Sequence, residues 1–389
     1  MIELLAPAGD LEKLKYAYIY GADACFIGGL EYSLRARASN FSIEHIKQAV
    51  KLKNEYQKKL YVTTNIIPHN ENLEGVIHYL KQLDEVGIDG IIVASPYIAS
   101  MAKKHTNLEI HISTQQSIVN SYAIDYFKTL GAKRVVLGRE LTLSEIKQIK
   151  NQTDVDIEVF IHGGMCASYS GRCTLSNTFT LRDANRGGCA HSCRWDYEVY
   201  DKDTLVSSNT LFSMSSKDLQ SIKEIKELMD IGIHSLKIEG RMKSIHYIAT
   251  VVNAYRMLID EYSKTKTIKD YDYYINEIAK AENRLTHQGF LRGIPTKDSQ
   301  LYDRLETPIK TFVGIIEAYG EYTLVEQRNY FKVGDTLEVF GPSKKIKTFK
   351  VEEILDESKN PLEAARHPKQ KVYLKIPFKV DKYDLLRLV

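Results

Sequence analysis

The sequence is 389 residues long, with 43% hydrophobic residues, 26% charged residues and a formal net charge of +3. This composition is that of an ordinary globular protein, and the length predicts a large domain of about 250 residues or more plus a smaller one. No apolar run reaches the roughly 18 residues that a membrane span needs, and the start MIELLAPAGD carries no export signal, so we expect a cytoplasmic protein without a membrane partner.

Eight short, β-rich apolar runs alternate with helical stretches in the first two thirds of the chain. Alternation of this kind predicts a (β/α)8 barrel over residues 1–262, with a doubly wound open sheet as the alternative architecture. Glycine precedes the strand at four helix-to-strand junctions, which supports a repeated βα unit. The runs are IELLA (2–6), DACFI (23–27), LYVTTNI (60–66), GIIVA (90–94), EIHIS (109–113), RVVLG (134–138), IEVFIH (157–162) and SLKIE (235–239).

The composition changes after the eighth run. Two amphipathic, tyrosine-rich segments predict a helical bridge over residues 263–307. Short alternating strands with turns such as VGD and GPS follow, and they predict a small C-terminal β-barrel over residues 308–389.

Four of the five cysteines lie in one loop, residues 163–195, directly after the seventh predicted strand. In a barrel this βα loop lies on the C-terminal face, where active sites are found. Zinc sites pair their ligands two to four residues apart, and only the second pair here is that close. A cluster tolerates wider spacings, so the pattern favours iron–sulfur but leaves zinc and disulfides open. The four are Cys166, Cys173, Cys189 and Cys193.

Polar side chains also mark the predicted barrel mouth. Strand alternation predicts that His162, Lys237 and Glu239 point into the barrel, and we take His162 and Glu239 as candidates for acid–base chemistry. Several arginines at one mouth suit a carboxylate or phosphate ligand, although a network of satisfied ion pairs is the structural alternative. The predicted substrate-binding residues are Arg35, Arg37, Asn65, Gln115, Arg139, Glu140, Lys237 and Arg241.

The stretch EVFIHGGMCASYSGRCTLS (158–176) resembles the signature of the peptidase U32 family, the collagenase-like proteases. Gly164 departs from the pattern, which usually has Ser or Ala there. ELLAPAGD at the start, SSKDL at 215 and KIEGR at 237 are similar to further blocks of the family. The matching positions are Glu158, Phe160, Gly163, Met165, Cys166, Gly171, Cys173, Leu175 and Ser176.

The resemblance is greatest to bacterial members that hydroxylate tRNA. It implies oxygen-independent formation of 5-hydroxyuridine at the wobble position with a prephenate-derived donor. It also implies that the four loop cysteines bind an iron–sulfur cluster of the 4Fe–4S type. Expected partners are tRNA, a small anionic co-substrate and, as an open question, a homologous U32 subunit.

Two other functions stay open at this point. Some members of the family modify ribosomal RNA or quinones, and the family name itself denotes a peptidase. Neither HExxH nor GxSxG occurs in the sequence, which counts against two common protease classes. A non-catalytic RNA-binding protein is the third alternative.

Overall fold

Eight parallel strands close into a barrel in the computed structural model, which describes residues 2–34, 40–206, 211–281, 284–296 and 310–389. Neighbouring strands pair in chain order, and the eighth barrel strand, β11, pairs in parallel with both β1 and β7. This closure confirms the predicted barrel and excludes the open sheet. The strands of this part are β1 (Glu3–Pro7), β2 (Ala24–Gly28), β3 (Lys59–Thr64), β4 (Gly90–Val93), β5 (Glu109–Ile112), β6 (Ala132–Val136), β7 (Asp156–Gly163), β8 (Tyr200–Asp201), β9 (Thr204–Leu205), β10 (Asp218–Gln220) and β11 (Ser235–Ile238).

Helices follow most of the barrel strands and cover the outside of the barrel. Several begin at a polar residue whose side chain accepts a hydrogen bond from the backbone three residues later, for example Asp10, Ser42 and Thr142. Such capping satisfies one of the N–H groups left open in the first helical turn. The helices are α1 (Leu11–Ile19), α2 (Ile43–Tyr56), α3 (Val76–Val86), α4 (Pro96–His105), α5 (Ser121–Thr129), α6 (Leu143–Asn151), α7 (Leu175–Thr180), α8 (Ile225–Ile231), α9 (Ile245–Thr265) and α10 (Tyr271–Ala279).

The main core lies between the strands and the helices. Strand residues alternate: Leu4 and Val62 belong to this outer core, whereas Leu5 and Tyr61 belong to a small cluster inside the barrel. The segment between β7 and β11 forms an insertion on the C-terminal face. It contains α7, the hairpin of β8 and β9, and β10, which pairs antiparallel with the end of β7.

The C-terminal part is an antiparallel half-barrel of eight strands, in the order β17-β16-β22-β13-β14-β21-β18-β19. The prediction of a β domain here is confirmed, although the end strands of this sheet do not pair with each other in the described part of the chain. The remaining strands are β12 (Thr286–His287), β13 (Thr311–Ala318), β14 (Thr323–Gln327), β15 (Phe331–Lys332), β16 (Thr336–Phe340), β17 (Lys347–Lys350), β18 (Ile354–Leu355), β19 (Pro361–Leu362), β20 (Ala364–Ala365), β21 (Lys371–Leu374) and β22 (Leu385–Leu388).

Arg387 of β22 joins the half-barrel to the helices of the barrel. Its side chain is fully buried and donates hydrogen bonds to His246 and Thr250 of α9, at 2.9 Å each. It also donates to Glu338 of β16 at 2.7 Å.

Helix α9 runs without interruption across the predicted start of the bridge at residue 263, and the predicted end of the bridge at residue 307 lies outside the described residues. Across the part of the chain that is described, none of the helices has both the length and the apolarity to cross a lipid bilayer.

Candidate functional site

The cysteine loop leaves the barrel at the end of β7. Gly163 has a φ of +105°, and a side chain there would lie 2.4 Å from the Glu239 carbonyl oxygen, so glycine is required where the two chains meet. All four loop cysteines are free thiols; Cys166 and Cys189 are exposed, and the other two are half-buried. The loop therefore presents sulfur atoms at the barrel mouth.

The four thiols gather around Cys193. Burial raises the pKa of the Cys193 thiol, Arg194 opposes this effect, and Cys166, Cys189 and Cys173 raise the pKa further. Because each of the other three cysteines acts electrostatically on Cys193, all four sulfurs lie in one part of the loop. In the described part of the chain, no three His, Cys, Asp or Glu side chains are arranged to hold a single ion.

The donor set of four thiols fits an iron–sulfur cluster, and it also fits one zinc ion. Four thiolates around zinc, at about 2.3 Å each, lie about 4 Å from one another. A cluster places iron and sulfide between its ligands and so holds the thiolates farther apart. The residues that would hold it are the same four cysteines, and Arg194 is placed to offset its negative charge.

Arginine side chains fix the start of the loop. Arg194 donates to the Met165 carbonyl at 3.0 Å and to the Ser215 hydroxyl at 3.1 Å, and Ser216 donates to the same carbonyl at 2.9 Å. Arg139, predicted at the rim, donates to the Gly164 carbonyl at 2.8 Å. The backbone next to Cys166 is therefore held by side chains from two separate parts of the fold.

A cleft of about 370 Å³ opens beside the cysteine loop, between that loop and the connections that follow β3 and β5. Gly171 brings the loop close, since a side chain there would lie 2.1 Å from the Gln115 carbonyl oxygen. Carboxamides and arginines dominate the lining. The lining residues are Ile67, His69, Gln115, Gln116, Gly171, Arg172, Asn177, Asp183, Asn185 and Arg186.

Two predicted binding residues meet at this cleft. Asn65 donates to the Gln115 side-chain oxygen at 2.5 Å, and Gln115 donates to the Asn65 carbonyl at 3.1 Å. Ser113 also donates to the Gln115 side chain, at 3.0 Å. The pair is therefore held rigidly, with Gln115 on the cleft wall and Asn65 behind it.

The two arginines of the cleft differ in their surroundings. Arg186 donates to Glu71 at 2.5 Å and to Asn72 at 3.1 Å, so it joins the cysteine loop to the loop after β3. The Arg172 guanidinium makes no hydrogen bond or ion pair with any other described residue. Arg172 is thus the cleft cation that is available to an anionic ligand.

Lys237, also predicted to bind substrate, lies inside the barrel in an ion-pair network. Its ammonium group is 2.8 Å from Glu158, and Arg134 is 3.2 Å from the other oxygen of the same carboxylate. Arg134 also pairs with Glu3 at 2.5 Å. Burial alone would raise the pKa of Glu158, but the two cations outweigh burial and lower that pKa. Lys237 therefore belongs to a network of satisfied ion pairs, which is the structural alternative to substrate binding.

The prediction that His162 points into the barrel is wrong. Its ring packs against Tyr247 and Tyr255 of α9, with centroids 5.9 and 5.6 Å away. The pairing of β7 with β11 shifts by one residue at this point, so that Ile161 is skipped and the alternation of faces is reset. The other acid–base candidate, Glu239, donates its backbone N–H to the His162 carbonyl at 2.8 Å. Catalytic roles for His162 and Glu239 stay predictions.

Arg241 is at the mouth but is not open to solvent. Its side chain is only 3% exposed, and it donates to Ser33 at 3.3 Å and to Asn40 at 3.2 Å. It thereby holds both flanks of the loop after β2. Arg35 and Arg37 of that loop lie outside the described residues.

Glu140 is half-buried, and one of its carboxylate oxygens is buried without a hydrogen-bond partner in the described part of the chain.

The sequence prediction missed most of the cleft. Of the residues that line it, only Gln115 is among the predicted binding residues, so that Arg172, Arg186, Gln116, Asn177 and Asn185 were missed. The usable signal was the segment RDANRGG (182–188), in which polar residues and two glycines follow a short helix beside a cysteine. A βα loop of that composition on the C-terminal face is typical of a ligand site.

Two family models match the chain. Residues 9–301 match peptidase family U32, and residues 310–387 match the C-terminal domain of that family. The chain belongs to peptidase family U32.

Three curated U32 relatives are similar over most of their length. The tRNA hydroxylation protein P1 of Bacillus subtilis is 47% identical, over 99% of this chain and 94% of its own. The tRNA hydroxylation protein P of Escherichia coli is 34% identical, over 88% of this chain and 87% of its own. A collagenase of Porphyromonas gingivalis is 31% identical, over 90% of this chain and 89% of its own.

Proposed function

We propose that this U32 protein is a tRNA-modifying enzyme that hydroxylates the wobble uridine to 5-hydroxyuridine without molecular oxygen. The observation that carries the proposal is the meeting of four free thiols and a basic, carboxamide-lined cleft at the mouth of the barrel. Near full-length similarity to proteins named for tRNA hydroxylation supports RNA, rather than protein, as the substrate.

The reaction replaces the C5–H bond of uracil by C5–OH. The base loses two electrons and gains one oxygen atom, so a donor that gives up a hydroxyl and takes back a hydrogen balances the change. We propose a prephenate-derived carboxylate as that donor. A 4Fe–4S cluster on Cys166, Cys173, Cys189 and Cys193 would supply one-electron chemistry beside the cleft.

The residues of the cleft bind and orient in this proposal. Arg172 has the geometry for a bidentate contact with a phosphate or a carboxylate. Gln115, Gln116 and Asn177 line the cleft, and the amide hydrogens that they do not donate to the protein can read the edge of a base. The Asn65 pair keeps Gln115 in place, so that its amide is oriented before the substrate enters.

Mass spectrometry of tRNA nucleosides tests the proposal. Deletion of the gene should remove wobble 5-hydroxyuridine, and the wild-type gene should restore it. Arg172→Ala should restore much less, whereas Lys104→Ala, an exposed cation on α4, should restore it fully. An unchanged 5-hydroxyuridine pool in a deletion strain that has no second U32 protein would contradict the proposal.

The similarity to a collagenase favours one second candidate, a U32 peptidase. A peptidase would cleave gelatin in the absence of RNA and would leave tRNA nucleosides unchanged on deletion. A protein that only binds RNA would bind tRNA, cleave nothing and also leave the nucleosides unchanged. These three outcomes separate the three functions.

A further inference from the structure

Large aromatic rings lie exposed next to the cysteine loop. Phe179 of α7 is 51% exposed, Trp195 is 42% exposed and Phe212 is 43% exposed. Tyr197 is half-buried among them. We call these four residues, Phe179, Trp195, Tyr197 and Phe212, the aromatic face.

The backbone places these rings on one side. Tyr197 and Phe212 exchange two backbone hydrogen bonds of 2.8 Å, and residues paired in this way point their side chains to the same face. Trp195 is two residues before Tyr197, and side chains alternate along extended chain. The Phe179 ring lies 5.5 Å from the Tyr197 ring at an angle of 39°.

The aromatic face is tied directly to the proposed cluster. The Tyr197 hydroxyl donates to the Ser192 carbonyl at 2.6 Å, one residue before Cys193. Phe179 belongs to the helix that begins two residues after Cys173. Anything that binds on this face is therefore held next to the four thiols and the cleft.

Clustered exposed rings are uncommon on a monomeric protein and mark a binding surface. The charge of the surroundings indicates which partner fits. Residues 163–195 contain four arginines and a single acid, Asp183. Arg186 is paired with Glu71 and Arg194 donates to the Met165 carbonyl, whereas Arg172 is exposed. Aromatic rings combined with arginines are the surface on which unpaired nucleotides bind, because bases stack on the rings while phosphates meet the cations.

Acidic residues near the aromatic face limit the area on which RNA can bind. Asp196 and Glu198 are exposed on either side of Tyr197 in the chain, and Asp201 and Asp203 lie at the exposed turn between β8 and β9, where acids would repel phosphate. An RNA strand would therefore lie over the aromatic face and toward Arg172, away from that turn.

We infer that the aromatic face binds unpaired RNA bases by stacking and thereby holds the loop whose target nucleotide enters the cleft. The inference rests on the proposed function for the identity of the RNA. It requires a substrate with splayed, single-stranded bases, because a duplex keeps its base faces covered.

Binding of a labelled hairpin RNA, with the stem and loop of a tRNA anticodon arm, tests the inference by fluorescence anisotropy. Phe179→Ala and Phe212→Ala should each weaken binding about tenfold, since one stacked base contributes about that much. Tyr122→Ala is the matched control, because Tyr122 is 85% exposed on α5, outside the aromatic face. Equal binding by all three variants would overturn the inference.

Two conservative variants separate stacking from ordinary apolar contact. Phe179→Tyr should keep RNA binding and Phe179→Leu should lose it, because leucine is apolar but has no ring. If Phe179→Leu binds RNA as the wild type does, stacking at this position is wrong. If the alanine variants instead change sedimentation of the protein without RNA, the face is a protein interface and the inference fails.

Trp195 supplies an independent measurement, because it is the only tryptophan of the chain. Its emission should change on addition of the hairpin and stay unchanged with a duplex that contains only the stem. Unchanged emission with bound hairpin would count against the aromatic face while leaving tRNA hydroxylation intact. Loss of 5-hydroxyuridine tests the function separately.

Discussion

Gly28 and Arg241 depend on each other at the end of β2. A side chain on Gly28 would lie 1.7 Å from the Arg241 guanidinium, which is enclosed between Ser33, Thr63 and Asn40. Gly28→Ala should therefore displace the Arg241 guanidinium and lower the free energy of unfolding by about 1–3 kcal/mol, as overpacking of a buried site does.

Gly164→Ala is the matched control for this change. The nearest atoms to a side chain at Gly164 lie 3.7 Å away or more, and its φ is not in the left-handed region. Thermal denaturation should show a large loss for the first variant and almost none for the second. A similar melting temperature for both variants would mean that the Arg241 side chain can adopt another conformation without loss of stability.

Glu158 is the acid on which two buried cations depend. Glu158→Gln leaves Lys237 and Arg134 with less compensating charge inside the barrel, which should cost about 3–5 kcal/mol. Glu44→Gln, at an exposed ion pair on α2, should cost less than about 0.5 kcal/mol. Urea unfolding at neutral pH measures both.

The pH dependence of unfolding gives the sign of the Glu158 contribution. The pKa of Glu158 is lower in the folded protein than in the unfolded chain, because Lys237 and Arg134 outweigh burial. Its contribution is therefore complete above the unfolded pKa of about 4.3 and is lost as the pH falls through the folded pKa. Glu158→Gln should be less sensitive than the wild type to acid below about pH 4; an equal sensitivity would contradict this assignment.

At the scale of elements, the cysteines of the loop and the cysteine of a barrel strand should have different roles. Anaerobically purified protein should contain iron and sulfide, and Cys173→Ser should lose both. Cys25→Ser should keep them, because Cys25 is fully buried in β2, on the side that packs against the helices. Stoichiometric zinc without iron in the wild type, or loss of iron from the Cys25 variant, would show that the ligand set is wrong.

Sequence alone located all eight barrel strands, because buried parallel strands are short apolar runs between polar helices. It could not show where one strand shifts against its neighbour. The skipped residue Ile161 leaves no trace in composition, yet it turns His162 from the lumen to α9. Arg134 was missed as an interior residue because it opens an apolar run, whereas the strand begins two residues earlier, at Ala132.

The candidate site was predictable only in part for a related reason. The cysteine spacing is local, so four residues of one loop could be read together. The cleft is assembled from three connections that lie far apart in the chain, and the contact between Asn65 and Gln115 exists only once the barrel closes. Alternation along a strand predicts a face but not such a partner.

At the scale of the whole molecule, the interface between barrel and half-barrel should respond to pH through His246. Burial, with Arg387 adding to it, lowers the pKa of His246 to about 3. Its neighbours on the other side are the rings of Phe312 and Phe340. Between an unfolded pKa of about 6.5 and this value, only the unfolded chain binds the proton, so stability falls as the pH drops.

His246→Gln should remove this contribution while keeping a hydrogen-bond acceptor for Arg387. The wild type should lose about 1 kcal/mol more than the variant between pH 7 and pH 5.5, as measured by urea unfolding. His78→Gln, an exposed position on α3, should behave as the wild type. An identical pH response of the His246 variant and the wild type would show that protonation of His246 does not change the stability of the protein.

Among the described residues between Ile161 and Ile222, none belongs to the main core of the barrel. The cysteine loop is instead held to the barrel by contacts outside that core, such as the hydrogen bonds from Arg139 to the Gly164 carbonyl and from Arg186 to Glu71. Loss of the proposed cluster in air should therefore leave the barrel core intact and change the melting curve little. Under the proposed function, iron and sulfide content, rather than thermal stability, should identify an active preparation.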